Sequence, residues 1–173
     1  MNQYWYSKPT IEFMAREVEQ QCGNEGDGCA FLSTPSIYFS LKDKGVKARS
    51  KCLDFDTAFN KDPNYVFYDF NRPEDLPEEL CGTFHMVVID PPFITREVWE
   101  KYTAAAKRLL RPQGGIILGS TIDENEAFMG ELLGCAKKQF RPSIPNLVYQ
   151  YSLYANYESE GLENPNPEIP PMD

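Results

Sequence analysis

The chain has 173 residues, 42% of them hydrophobic, which suits one domain of ordinary size with a real core. A formal net charge of -9 repels a nucleic-acid backbone, whose binding depends on Lys and Arg neutralising phosphates, and favours a basic partner. Five scattered cysteines without a CxxC pair, and a single histidine, argue against a zinc site or any other metal centre. With no signal-peptide pattern these cysteines read as reduced thiols of a cytoplasmic protein, and no apolar run approaches the ~20 residues a membrane helix needs.

In chain order, "QYWYS" (3–7) sets two tyrosines and a tryptophan ahead of a helix, where they serve as a lid on a ligand or on the core. "SKPTIEFMAREVEQQCG" (7–23) reads as that helix: Ser7 can cap it, Pro9 fits its first turn, and Ile11, Met14, Ala15 and Val18 share one face. "CAFLST" (29–34) is a buried strand, and "PSIYFSLKDKG" (35–45) a short helix ended by Gly45. Strands follow at 48–56, 64–71 and 85–90, then a helix at 95–110. "PQGG" turns the chain into a fifth strand at 116–121, and a helix at 123–134 ends at Gly134. "LVYQYSLYANY" (147–157) predicts one strand of a terminal hairpin, paired with the segment near Phe140. These elements form one domain over 1–157; the acidic, proline-rich tail 158–173 is expected to be disordered.

Short apolar strands alternating with helices predict a mostly parallel α/β sheet. Such sheets bind ligands at the carboxyl ends of their strands, where strand order reverses. With strand order 3-2-1-4-5, "STPS" after the first strand, including Ser33 and Ser36, and "DPPF" (90–93) after the fourth face one crevice. Asp90 can accept a hydrogen bond from an amine N–H and turn the nitrogen lone pair outward. The carbonyl of Pro91 or Pro92 can accept a second, because proline fixes φ near −65° and holds the turn rigid. Phe93 can lie against a flat base or a cation. The competing reading makes Asp90 a helix cap in a plain turn. In "LDFD", Asp54 and Asp56 project from one face of an extended chain, where a carboxylate can take both hydroxyls of a ribose. In "YDFN", Asp69 can accept from the exocyclic amine of adenine, with Phe70 beside the ring. No GxGxxG follows the first strand, so a nucleoside without phosphates fits better than a dinucleotide. S-adenosyl-L-methionine is such a ligand.

In order, "NQYWYS", "STPSIYFSL", "LDFD", "VFYDFN", "LPEEL" and "VVIDPPF" resemble the family first described as N6-adenine methyltransferase-like, whose members are regarded as lysine methyltransferases of translation elongation factor 1-alpha. The terminal "FRPSIPNLVYQYSLYANY" is similar to the C-terminal hairpin of that family. The resemblance covers nearly all of residues 2–157. It implies a Rossmann-like, seven-strand methyltransferase sheet, mostly parallel with an antiparallel C-terminal hairpin. Asp90, Pro91, Pro92 and Phe93 would hold the target amine, Asp54 and Asp56 the cofactor ribose, and Asp69 the adenine. Tyr4 and Ser7, with Trp5 nearby, would approach the methionine end of S-adenosyl-L-methionine, and S-adenosyl-L-homocysteine would be the product. The family also implies a helical extension before "QYWYS" that this sequence does not include.

The same acid-proline-proline-aromatic turn serves adenine N6 in nucleic acids. The acidic charge, the lack of a Lys/Arg-rich stripe and the lack of chain for a base-flipping domain favour a protein substrate. The expectation is lysine methylation, with elongation factor 1-alpha as partner; adenine methylation of RNA and a non-catalytic cofactor-binding subunit are the alternatives. A lysine amine must lose a proton first, since its unperturbed pKa is about 10.4. No general base is assigned; Tyr151 and Tyr154 are candidates.

Overall fold

The computed structural model describes residues 5–169. Helix α1 (Lys8–Gln21) starts where the sequence places it, with Ser7 as its N-cap and Met14, Ala15 and Val18 buried. Strand β1 (Cys29–Leu32) is followed by two short helices, α2 (Pro35–Phe39) and α3 (Lys44–Ala48). The single helix expected over 35–45 is therefore split. Asp43 accepts hydrogen bonds from the backbone N–H groups of Gly45 and Val46 and restarts the helix, so Gly45 lies inside α3 rather than ending a helix.

Strand β2 (Lys51–Asp54) and strand β3 (Tyr65–Phe67) are shorter than the runs expected from sequence. Strand β4 (Met86–Ile89) runs to Asp90, and helix α4 (Arg96–Leu109) is capped by the Thr95 hydroxyl. Strand β5 (Ile116–Ile122) leads into helix α5 (Glu126–Leu133), which ends at Gly134 in the left-handed region. Strand β6 (Ala136–Lys137) and strand β7 (Tyr151–Ala155) make the C-terminal hairpin; the partner of β7 lies a few residues before Phe140.

The sheet order is β3-β2-β1-β4-β5-β7-β6. The first five strands of that order are parallel, β7 runs antiparallel to β5, and β6 antiparallel to β7. The chain moves outward from β1 to β3, then crosses back to β4 beside β1. That reversal leaves a crevice at the carboxyl ends of β1 and β4. All four residues of β1 and of β4 are buried, as expected of central parallel strands covered on both faces. Their side chains alternate between two cores. Phe31, Met86 and Val88 pack with α1 and α2, while Leu32, Val87 and Ile89 pack with Trp99, Tyr102 and Leu109 of α4.

The expectation of disorder beyond Glu158 does not hold over 158–169. The segment forms helix α6 (Glu160–Glu163) and buries Leu162 completely in the core beneath α1. The composition of the segment misleads because a single leucine is enough when the surrounding polar groups find partners elsewhere in the fold.

Candidate active site

Asp90 follows the buried strand β4, and its backbone N–H donates to Leu32 O of β1 at 3.3 Å. The carboxyl is therefore fixed at the point where β1 and β4 end side by side. Burial pushes its pKa up to about 7, and the neighbouring Tyr6 hydroxyl pulls in the opposite direction. Pro91 is buried and Pro92 exposed, while Phe93 projects outward at 57% exposure and meets Phe70 edge-on, with ring centroids 6.5 Å apart.

Tyr102 of α4 lies at the centre of the crevice. Burial raises its pKa, and the charges of Asp54, Asp90 and Asp69 raise it further, so all three carboxylates converge on one phenol. Its hydroxyl pairs with the Ser33 hydroxyl at 2.6 Å, its ring stacks on Phe70 at 5.7 Å, and Tyr68 meets it edge-on at 5.5 Å. Ser33 has φ of 60°, an uncommon backbone state for a serine and one found where strain is held at ligand sites. The structure thus brings Ser33, Asp54, Asp69, Phe70, Asp90 and Phe93 together. Among the described residues, none of the three carboxylates forms a salt bridge. A site of this kind is short of positive charge, and a cationic ligand would supply it.

Other expected site residues have different work. Asp54 gives one oxygen to the Asp56 N–H at 2.8 Å and keeps the other open; burial raises its pKa. Asp56 is exposed and caps a helical turn by accepting from Ala58 N–H at 2.9 Å, which turns it away from a shared ribose. Asp69 accepts from Asn71 N–H at 2.9 Å. Ser7 is a cap: its hydroxyl accepts from Thr10 N–H at 3.2 Å and donates to Glu168 at 2.6 Å. Ser36 is half-buried in α2, and among the described residues no side-chain hydrogen bond links it to the crevice. Trp5 is 58% exposed, and Tyr4 lies outside the described residues. Tyr154 donates to the Ile122 carbonyl at 3.0 Å and is tied into the sheet, so it is no candidate base. Tyr151 lies in the field of Asp90, and burial raises its pKa to about 12. It also lines an open groove of about 200 Å³ with Arg141, Ile144, Leu147 and Ile169, beside the crevice rather than in it.

The sequence reading missed Tyr102, which it treated as part of a helix stripe, and Ser120, at the end of β5. It also missed Phe55 and Phe67, whose exposed rings lie 5.5 Å apart next to Asp54 and offer an apolar seat to a flat ring. Buried polar atoms give a second signal. Among the described residues, the hydroxyls of Tyr6, Thr34, Tyr68 and Ser120 and the indole N–H of Trp99 have no hydrogen-bond partner. Buried polar groups are nearly always satisfied, and four of these five belong to residues at the crevice end of the sheet or facing Asp90. A polar ligand there would satisfy them.

The strand order, the switch-point crevice and the proline-rigid turn after β4 define a Rossmann-like methyltransferase fold. A solved structure of 1,6-didemethyltoxoflavin-N1-methyltransferase from Burkholderia thailandensis, with 1,6-didemethyltoxoflavin and S-adenosylhomocysteine bound, matches with a TM-score of 0.60 at 12% identity, over 86% of this chain and 78% of that one. The model of the family described as "Probable N6-adenine methyltransferase" matches residues 1–159, and the chain belongs to that family. EEF1A lysine methyltransferase 1 of Danio rerio is 36% identical over 171 residues, covering 94% of this chain and 99% of the relative. Protein-lysine N-methyltransferase EFM5 of Saccharomyces cerevisiae is 30% identical, covering 95% of this chain and 67% of the relative. The resemblance read from the motifs is thereby borne out.

Proposed function

We propose that the chain is an S-adenosyl-L-methionine-dependent protein-lysine N-methyltransferase acting on elongation factor 1-alpha. The observation that carries this reading is the half-buried Asp90 carboxyl, without a cationic partner among the described residues, at the switch point of the sheet, where burial raises its pKa to about 7. Ionised, it attracts a lysine ammonium into the crevice. Protonated, it leaves an amine free of its counter-charge, so a carboxyl titrating near neutrality can work in both states. The Pro91 carbonyl, on a backbone without freedom in φ, is the second acceptor for the amine. The crevice fits the cofactor: Asp54 keeps one carboxylate oxygen open for a ribose, Phe55 and Phe67 offer an apolar face, and the Thr34 and Tyr68 hydroxyls, without partners among the described residues, await polar contacts. When bound, S-adenosyl-L-methionine supplies an electrophilic methyl on a sulfonium, and three uncompensated carboxylates favour that charge. Five free cysteines support a reducing, cytoplasmic setting. No helix among the described residues is long and apolar enough to cross a membrane, and these residues hold no cluster of three metal-ligating side chains.

Transfer of labelled methyl into a lysate, split between nuclease and protease treatment, tests the substrate class. Label that survives nuclease and stays in one protein of the size of elongation factor 1-alpha is the expected result. Label lost to nuclease would overturn it in favour of adenine. A separate expectation concerns the cofactor. Asp54→Ala removes a hydrogen-bonded charge, so S-adenosylhomocysteine should bind roughly 10- to 100-fold more weakly by calorimetry. Unchanged affinity would remove Asp54 from the site.

A further inference from the structure

Two hydroxyls near Asp90 are not accounted for by the motif. Ser120 of β5 is fully buried. Ile89 of β4 pairs with Gly119 of β5, so Asp90, just past β4, and Ser120, within β5, lie side by side at one level. Tyr6 is 8% exposed and precedes α1; its hydroxyl interacts with both the Asp90 carboxyl and Ser120. Among the described residues neither hydroxyl completes a well-formed hydrogen bond. A buried hydroxyl without a partner is costly, so two of them beside one half-buried carboxyl mark a place where a polar ligand group is expected.

We propose that Tyr6, oriented by Ser120, forms with Asp90 a seat whose Tyr6 and Asp90 oxygens contact the target amine directly. This rests on the methyltransferase reading above and deepens it, because it names the groups beyond the acid-proline-proline-aromatic turn that hold the nitrogen. A primary amine with its lone pair aimed at the methyl carbon has two N–H groups to place. Asp90 accepts one; the other is shared between the Pro91 carbonyl and the Tyr6 oxygen, which is held between Asp90 and Ser120. Ser120 donates to Tyr6 and orients that oxygen as an acceptor. The seat recognises a small, N–H-bearing nitrogen and has no feature specific to a purine edge.

Sinefungin tests this without any methyl-accepting substrate. It carries an amine where S-adenosyl-L-methionine has its sulfonium methyl, so it presents a nitrogen next to the seat, while S-adenosylhomocysteine presents none. Dissociation constants for both compounds are measured on the whole chain, on Tyr6→Phe and on Ser120→Ala. Melting temperatures serve to check that each variant is folded. The expected result is that each variant weakens sinefungin about tenfold, the worth of one hydrogen bond to a charged group, and leaves S-adenosylhomocysteine unchanged. If both compounds weaken together, or neither changes, the seat is overturned while the methyltransferase reading stands. If S-adenosylhomocysteine does not bind the unaltered chain, both fail. Tyr154→Phe makes the same chemical change on a tyrosine tied to the Ile122 carbonyl, and should leave the sinefungin preference intact; a loss there equal to that of Tyr6→Phe would also overturn the proposal.

Discussion

Asp90→Ala is expected to lower methyl transfer about a thousandfold, the middle of the range for losing a positioned acid–base group, while S-adenosylhomocysteine binding stays intact. Asp90→Asn should also impair transfer, yet it should raise the melting temperature. The ordinary carboxyl value is 3.8 and burial lifts Asp90 to about 7. The folded chain therefore holds this proton more tightly than the unfolded chain. Stability is lost as pH rises from about 4 to about 7, and the cost is complete above that window. The full gap corresponds to about 4 kcal/mol. Relaxation around a carboxyl at the edge of a crevice leaves roughly half, so asparagine should gain about 4–8 °C at pH 8. The gain should vanish below pH 4, where the carboxyl is protonated in both states. Transfer itself should rise with pH through about 7 as the carboxylate forms. A variant that keeps more than a tenth of wild-type transfer, or an Asp90→Asn protein that melts lower at pH 8, would make the turn after β4 an ordinary helix entry.

Leu162→Ala is expected to lower the melting temperature by roughly 6–12 °C, from a cost of about 3 kcal/mol for a leucine emptied out of a packed core. Leu162 is fully buried among the residues beneath α1, and its carbonyl accepts from Phe140 N–H at 3.0 Å. Around it, the tail ties distant parts of the chain together. The carboxylate of buried Glu17 accepts from the Tyr157 and Ser159 hydroxyls at 3.2 and 3.0 Å. Lys138, its side chain 4% exposed, pairs with Glu158 and Glu163 at 3.3 and 3.5 Å. Asn166 donates to the Arg141 carbonyl at 2.7 Å. Cutting the chain after residue 157 would take the Ser159 hydroxyl from Glu17 and both carboxylates from buried Lys138, which is more damaging than losing the leucine alone. A melting temperature that does not move on Leu162→Ala would return the tail to the disordered class.

These two residues also show where sequence reasoning works and where it stops. Asp90 is legible because its context is local. An apolar strand, an acid and two prolines in succession specify a buried strand end and a rigid turn, whatever the rest of the chain does. The same holds for α1 and for Gly134 closing α5; alternating short strands and helices allow more than one strand order, and the structure bears out the supposed 3-2-1-4-5. Ser7 is taken up by capping α1 and donating to Glu168; Asp56, like Asp54 and Asp69, accepts from the N–H two residues on, and differs from them in being exposed.

What the sequence by itself determined is therefore the parallel sheet, the switch-point crevice and the acid-proline-proline-aromatic turn aimed into it, because each rests on periodicity or on chain stiffness over a few residues. The tertiary structure alone decided the rest. Tyr102 becomes the hub of the crevice because α4 packs on β4 and brings the Tyr102 hydroxyl to Ser33, just past β1. Tyr6 and Ser120 flank Asp90 only because α1 and β5 arrive there from opposite ends of the chain. The tail folds because partners more than a hundred residues away, such as Glu17 and Thr10, satisfy its polar groups. Contacts of that kind have no period and no local signature, and only the packed chain brings them into being.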